Sequence, residues 1–382
     1  MDTTVLHAGF DGLKVNVDTV ISMTTRKALA DAKEIALDQK SPVPVTIGGL
    51  EFAVRHTGNR AFSIHTGDYG AEFFLHDPEA ASGIGPGVTM DFRAFFLATE
   101  GLEGARAYFD KTMNALGVIF QPDQMRVSRV DFAVDFLAPW FEPDTEAVVL
   151  AARTSKREFR EKDSRERFFA NTEVTGITCG HVSNRQLVMY DKRAEVIGKR
   201  KPGWLVIWNQ NRELQGQPKL DLSDKQQSRI WRFENRVGSK CLRRRWEIKS
   251  WSDLDAMIGD VFDESLKKMS YRIPSQDSNR SRWAEHELWK LLRAVYRMGL
   301  ARHRSGVVPN EVREVNRAEH QRMLDQNILG NLIARAVSAG IGEKHLWGYA
   351  RLHINELERA SKRESRTIGE RVAKAEGKYR FR

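Results

Sequence analysis

What this chain lacks narrows its class before any motif is read. It has two cysteines among 382 residues, Cys179 and Cys241, too few for a disulfide framework or a four-cysteine metal knuckle and in keeping with a reducing cytoplasm. Only 11 prolines are present, which argues against a collagen-like or proline-rich disordered chain. No run of about 18 apolar residues occurs, and the start Met1-Asp2-Thr3-Thr4 lacks the basic-then-apolar order of a signal peptide, so neither a membrane span nor secretion is expected. No Gly-x-x-x-x-Gly-Lys-Ser/Thr loop is found, so ATP hydrolysis is not indicated. Gly83-Ile84-Gly85-Pro86-Gly87 precedes a strand pattern and reads as a turn, and Cys179-Gly180-His181 has no further soft ligands at zinc spacing.

What is present is a core-forming composition with an excess of cations. Hydrophobic residues make up 41% of the chain, and 61 Lys and Arg outweigh 51 Asp and Glu, giving a net charge of +10. A polyanion is therefore the first partner to consider, with a solvated basic surface as the alternative. The charge is dense at 153–167, at Lys199-Arg200-Lys201 and at 236–249.

Period-two alternation marks strands at 13–18, 51–55, 61–66, 71–76 and 88–96, and helical spacing marks 25–38 and 101–116. A strand at 127–136, a helix near 145–152 and further strands then echo the first half weakly. From about residue 250 the pattern becomes long and amphipathic, at 252–269, 282–298, 309–324, 326–339 and 346–375. The expected class is α+β: a mostly antiparallel sheet with flanking helices over residues 1–250, with two pseudo-repeated halves, followed by a helical region over 251–382 for DNA recognition or self-association.

Three strands carry chemistry. In Arg129-Val130-Asp131-Phe132-Ala133-Val134-Asp135 alternation sends Arg129, Asp131 and Asp135 to one face, with the two carboxylates about 13 Å apart along the strand. In Trp231-Arg232-Phe233-Glu234-Asn235-Arg236 the face of Arg232, Glu234 and Arg236 adds a third acid. Acids projecting from neighbouring strands suit Mg²⁺ or Mn²⁺, and the same pattern also makes a surface ion-pair ladder. In Val188-Met189-Tyr190-Asp191-Lys192 a phenol and an ammonium stand on one face. A nearby cation that stabilises a phenolate makes it a nucleophile for a phosphodiester, whereas a lone strand tyrosine more often packs in a core. Tyr69 and Tyr108 are more distant candidates. The segment Ser239-Lys240-Cys241-Leu242-Arg243-Arg244-Arg245-Trp246 reads as a helix start able to meet nucleic acid with Lys240, Arg243, Arg244 and Arg245, or to lie in water.

Taken in order, these motifs resemble the Rep_trans family of rolling-circle replication initiators. That family includes plasmid initiator proteins, relaxases of some integrative conjugative elements and replication proteins of filamentous phages. The resemblance covers roughly residues 10–250. It implies that Tyr190 attacks one strand of origin DNA, leaving a 5′-phosphotyrosyl link, with Lys192 beside it. It further implies that Asp131, Asp135 and Glu234 hold or support Mg²⁺ or Mn²⁺, and that Arg129, Arg232 and Arg236 join the basic segment in binding DNA, double- and single-stranded. A host helicase, a homodimer and a cytoplasmic location are the remaining implied features, with no membrane partner. A conjugative relaxase with the same chemistry and a non-catalytic plasmid or phage DNA-binding regulator are the competing functions. The His-hydrophobic-His motif of the other large nickase class does not occur among the 10 histidines.

Overall fold

The structure is a computed structural model that describes residues 3–58, 61–77, 87–150, 154–160, 174–298, 300, 309–364 and 367–379. The basic stretch at 161–167, the glycine-rich turn at 83–86 and the C-terminal residues 380–382 lie outside the described residues.

An α+β architecture is built on one eleven-stranded antiparallel sheet. Its centre is a pair of long strands, β1 (Thr4–Val17) and β7 (Met125–Leu137). From β1 the chain passes through α1 (Met23–Gln39) to the outer edge and works back inward. Its path is β2 (Val43–Ile47), β3 (Leu50–Val54), β4 (Ala61–His65), β5 (Ala71–His76) and β6 (Val88–Phe92), which pairs with β1. From β7 the chain repeats the manoeuvre on the other side through β9 (Lys156–Arg160), β10 (Val174–Gly180), β11 (Arg185–Asp191) and β12 (Ile230–Gly238), which pairs with β7. The order β2-β3-β4-β5-β6-β1-β7-β12-β11-β10-β9 is thus two similar halves joined at β1 and β7. The helix expected near 145–152 is not formed: β8 (Val148–Leu150) pairs instead with β13 (Met269–Tyr271) in a small second sheet. The Val148-Val149-Leu150 run favours a strand because β-branched side chains fit a pleated surface better than a helix.

Alternation along β7 and β12 sorts side chains between two faces, and the back face is the main core. There Phe132 meets Phe10 (5.3 Å), Tyr296 (4.9 Å) and Phe262 (6.0 Å), ring centre to ring centre. Phe262 belongs to α6 (Trp251–Lys268), started by a reciprocal Ser250/Asp253 capping box, and Tyr296 to α7 (Glu287–Arg297). The core therefore runs past residue 250, and α6 and α7 bury Leu254, Ile258, Val261, Leu288, Trp289 and Leu292 in it. The stretches at 309–324 and 326–339 form one helix, α8 (Pro309–Ser338), which runs beside α4 (Gly203–Leu214); α9 (Leu346–Ser361) and α10 (Ile368–Tyr379) follow. No helix among the described residues is long and apolar enough to cross a membrane.

The front face is covered at one end only. There α4 (Gly203–Leu214) drops Trp204, Ile207 and Trp208, at helical i, i+3, i+4 spacing, onto Leu6 and Ile230, with Phe95 and Ala98 of α2 (Ala94–Ala115). The rest of that face is open.

Candidate active site

The open part of the front face is the floor of a cleft of about 530 Å³, and its floor residues come from the three strands singled out by alternation. Register fixes the layout. Asp135, Arg232 and Tyr190 stand side by side in one row across β7, β12 and β11, with His7 of β1 opposite Asp135. The next row is Ala133, Glu234 and Val188, and the one after it Asp131, Arg236 and Gln186. From strand spacing and rise, the Tyr190 backbone lies about 8 Å from that of Glu234, about 10 Å from Asp135 and about 17 Å from Asp131.

Each acid is gripped by its own arginine. Asp131, 1% exposed, accepts from Arg129 Nε at 2.9 Å and Nη2 at 2.5 Å. Glu234, 2% exposed, accepts from Arg236 Nε at 2.7 Å and Nη2 at 2.9 Å. Both pairs sit two residues apart on one strand, as period-two geometry dictates, and all four residues line the cleft. Asp135 accepts from Arg232 Nε at 2.6 Å and Nη2 at 2.7 Å and from Trp208 Nε1 at 2.8 Å. Asp135 and Arg232 are both 0% exposed and neither lines the cleft. Arg232, expected to meet phosphate, is instead sealed beneath Trp204, whose ring lies 4.1 Å from the guanidinium. Asp135 is its counter-ion, buried outside the cleft with both oxygens already hydrogen-bonded.

Among the described residues no group of three or more His, Cys, Asp or Glu side chains is placed to hold a metal ion. The implied three-acid ligand set is therefore not assembled: Asp131 and Glu234 share the cleft while Asp135 faces Arg232 and Trp208. Burial and the neighbouring Glu234 carboxylate push the Asp131 carboxyl up to about 7, against the pull of Arg129. Burial would raise Asp135 as well, but the Arg232 guanidinium overrides it and holds that carboxyl below its ordinary range.

Tyr190 is half-buried and lines the cleft. Burial lifts its phenol well above 10; Arg232 pulls the other way, and the charges of Asp11, Glu234 and Glu195 add to the rise. The next residue, Asp191, ends β11 and caps α3 (Lys192–Gly198), accepting from Ala194 N at 2.8 Å. This turn brings Lys192 back into the cleft wall, where it is 3% exposed, 5.6 Å from the Tyr190 ring centre and 4.7 Å from that of Trp204. Its ammonium pairs with Glu195, and burial lowers its affinity for the proton, as does Arg232.

Sequence reasoning missed several wall residues. Asp11 occupies a β-bulge, where β1 spends an extra residue between the pairs Phe10↔Phe132 and Gly12↔Asp131, and it accepts from Arg232 Nη1 at 2.5 Å. Gly12 follows because a Cβ there would collide with the Asp131 carboxylate. Asp-Gly inside an alternating run is the signal that could have marked this bulge. Asp68, Asp91 and Arg93 form the wall contributed by the first half. Of the other basic residues, Lys240, Arg243 and Arg244 lie exposed on or beside α5 (Ser239–Arg244), away from the cleft, and Arg245 pairs with Glu264 at 2.5 Å. Tyr108 donates to Thr66 Oγ1 at 2.8 Å and Tyr69 stacks on Phe95, and neither lines the cleft.

No family model matches the chain, and no curated protein does. Among solved structures the chain is similar to a rolling circle replication initiator protein from Geobacillus stearothermophilus, at 13% identity over 78% of this chain and 99% of that one, with a TM-score of 0.38.

Proposed function

We propose that this protein is a tyrosine-dependent nucleic-acid strand transferase that nicks one strand of origin DNA to start rolling-circle replication. The observation that carries the reading is the company Tyr190 keeps. A cleft-lining phenol stands with Lys192, Arg236, Arg129, Lys199 and Lys201 around one open sheet face. Cations are what a phosphodiester and its developing negative charge require.

Lys192 and Arg236 orient the scissile phosphate against the Tyr190 oxygen. The phenol is held protonated in the resting site, so its proton leaves as the O–P bond forms, to a carboxylate of the cleft wall. The P–O3′ bond breaks, its electron pair stays on the 3′ oxygen, and Lys192, whose buried ammonium gives up its proton more readily than an exposed one, protonates it. The product is a 5′-phosphotyrosyl link and a free 3′-hydroxyl, and the reverse sequence rejoins the strand. No step is routed through a divalent ion, because Asp131, Asp135 and Glu234 are each paired with an arginine.

The test incubates the protein with supercoiled DNA carrying the replication origin of its element, with and without Mn²⁺, and looks for open circles with protein attached at a 5′ end. Tyr190→Phe is expected to abolish the adduct. Equal adduct from wild type and Tyr190→Phe would remove the assignment, and DNA binding with no adduct in either would leave the non-catalytic regulator as the function.

A further inference from the structure

One wall of the cleft is a cluster of lysines around a single acid. Glu195 of α3 pairs with Lys192, with Lys199 at 3.2 Å and with Lys201 at 3.3 Å. All four line the cleft with Tyr190. The arrangement is built by the backbone and not left to long side chains alone. After α3 ends, Lys199 N bonds to Glu195 O at 2.9 Å and Lys201 N to Val196 O at 2.9 Å, and Arg200 between them takes a left-handed φ of 50°. That turn folds Lys201 back over the helix so that its ammonium reaches the same carboxylate as Lys199. Glu195 is mostly enclosed, whereas Lys199 and Lys201 are 64% and 41% exposed at the side chain. One negative charge against three positive ones leaves the wall with a surplus of two. The opposite wall carries Asp68 and Asp91 with Arg93, and Asp91 pairs with Lys14 at 2.8 Å, so the surplus of positive charge lies on the Glu195 side.

We propose that Glu195 is a positioning residue that fixes Lys192 beside Tyr190 and gathers Lys199 and Lys201 into a track for the phosphate neighbouring the scissile one on a single strand of nucleic acid. The inference rests on the reading of Tyr190 as the nucleophile. It adds the direction in which the strand leaves that tyrosine, along the end of α3 and away from Asp68 and Asp91. A single strand suits this wall because its backbone can follow a groove that a duplex about 20 Å across would bridge.

Two measurements on the full chain separate this proposal from the one beneath it. Binding of a thymidine 20-mer is followed by fluorescence anisotropy from 50 to 300 mM salt, and covalent adduct formation is followed on labelled single-stranded oligonucleotides tiled across the origin. Removing both lysines with Lys199→Gln/Lys201→Gln is expected to lower the magnitude of the log–log salt slope by about 0.7, the single-strand value for the one phosphate they hold. Glu195→Gln is expected to have effects of opposite sign: tighter binding with a slope at least as steep, since a negative charge has left the wall, and slower adduct formation, since Lys192 is no longer held. A residue that only supports the fold would weaken both together. A salt slope unchanged in the double lysine variant, or parallel losses in Glu195→Gln, overturns the track while wild-type adduct still stands. An absence of any Tyr190-dependent adduct in wild type overturns the nucleophile reading itself.

Discussion

Replacing Asp135 by Asn tests whether that acid is a metal ligand or a counter-ion. Asp135 and Arg232 are both 0% exposed, and three hydrogen bonds converge on the two carboxylate oxygens, from Arg232 Nε, Arg232 Nη2 and Trp208 Nε1. An Asn side chain offers one oxygen where two are used, and its amide would turn N–H toward a donor. At least one buried donor is left unpaired, at about 1–3 kcal/mol, and of the two carboxylates bonded to the guanidinium only Asp11 remains. Breaking a buried ion pair by removing one partner costs about 3–5 kcal/mol, and the retained Asp11 contact argues for the lower end. The expected loss is thus about 3 kcal/mol, against a total stability of about 5–15 kcal/mol for folded proteins in general. Urea unfolding at pH 7 reads it. A double change, Asp135→Leu with Arg232→Met, is expected to recover much of the loss, since apolar residues of similar size replace a buried pair at little cost. Because the Asp135 carboxyl sits below its ordinary range, its contribution is present above about pH 4 and is lost as pH falls through the depressed folded value. The reasoning is refuted if Asp135→Asn stays within about 1 kcal/mol of wild type.

Asp131→Asn should grow more stable relative to wild type as pH rises from about 4 to about 7. Over that window the unfolded Asp131 is ionised while the folded one, raised to about 7, holds its proton, so wild type alone loses stability, by at most a few kcal/mol. A flat difference between the two across that window would contradict the assignment. His7→Leu should do the reverse: burial lowers this imidazole to about 4, so wild type loses stability as pH falls from about 6.5 to 4 and the variant does not. Urea midpoints at half-unit pH intervals read both. Gly12→Ala should push the Asp131 carboxylate off Arg129 and lower the melting temperature by several degrees; an unchanged melting temperature would show that β1 can yield there.

The site was legible in sequence where one physical rule governs. Period two alone put Arg129, Asp131 and Asp135 on one face and Arg232, Glu234 and Arg236 on another, and pairing of β7 with β12 and of β12 with β11 made those faces one surface beside Tyr190. Register is a long-range property, so nothing in the sequence could set Arg232 between Asp135 and Tyr190. Nor could alternation show that every acid on the floor would find an arginine, since the cross-strand pair Asp135–Arg232 joins residues 97 positions apart. The roof was missed for a different reason. Gly203–Leu214 is short, and the two tryptophans that close over Arg232 and Asp135 declare their partners only in the folded chain. The first half of β1 was missed because its bulges break the alternation by which strands are read.

Those bulges explain why two similar halves make one site and not two. Both halves enter the sheet on a central strand and return beside it, so β6 stands to β1 as β12 stands to β7. Had β1 and β7 been equally regular, their polar faces would present equivalent rows on either side of the midline. The extra residue at Asp11 instead turns a first-half carboxylate toward the second half, where Arg232 receives it, and Gly12 makes room for Asp131 beside it. The excursion between β11 and β12 does the rest, since it carries the lysine wall and the tryptophan roof. The three lysines and the tyrosine thus gather on one side of the midline, and Asp68, Asp91 and Arg93 stand on the other. An anionic strand entering this cleft meets a polarised channel, and the polarity, more than any single arginine, decides on which side of the midline its backbone must lie.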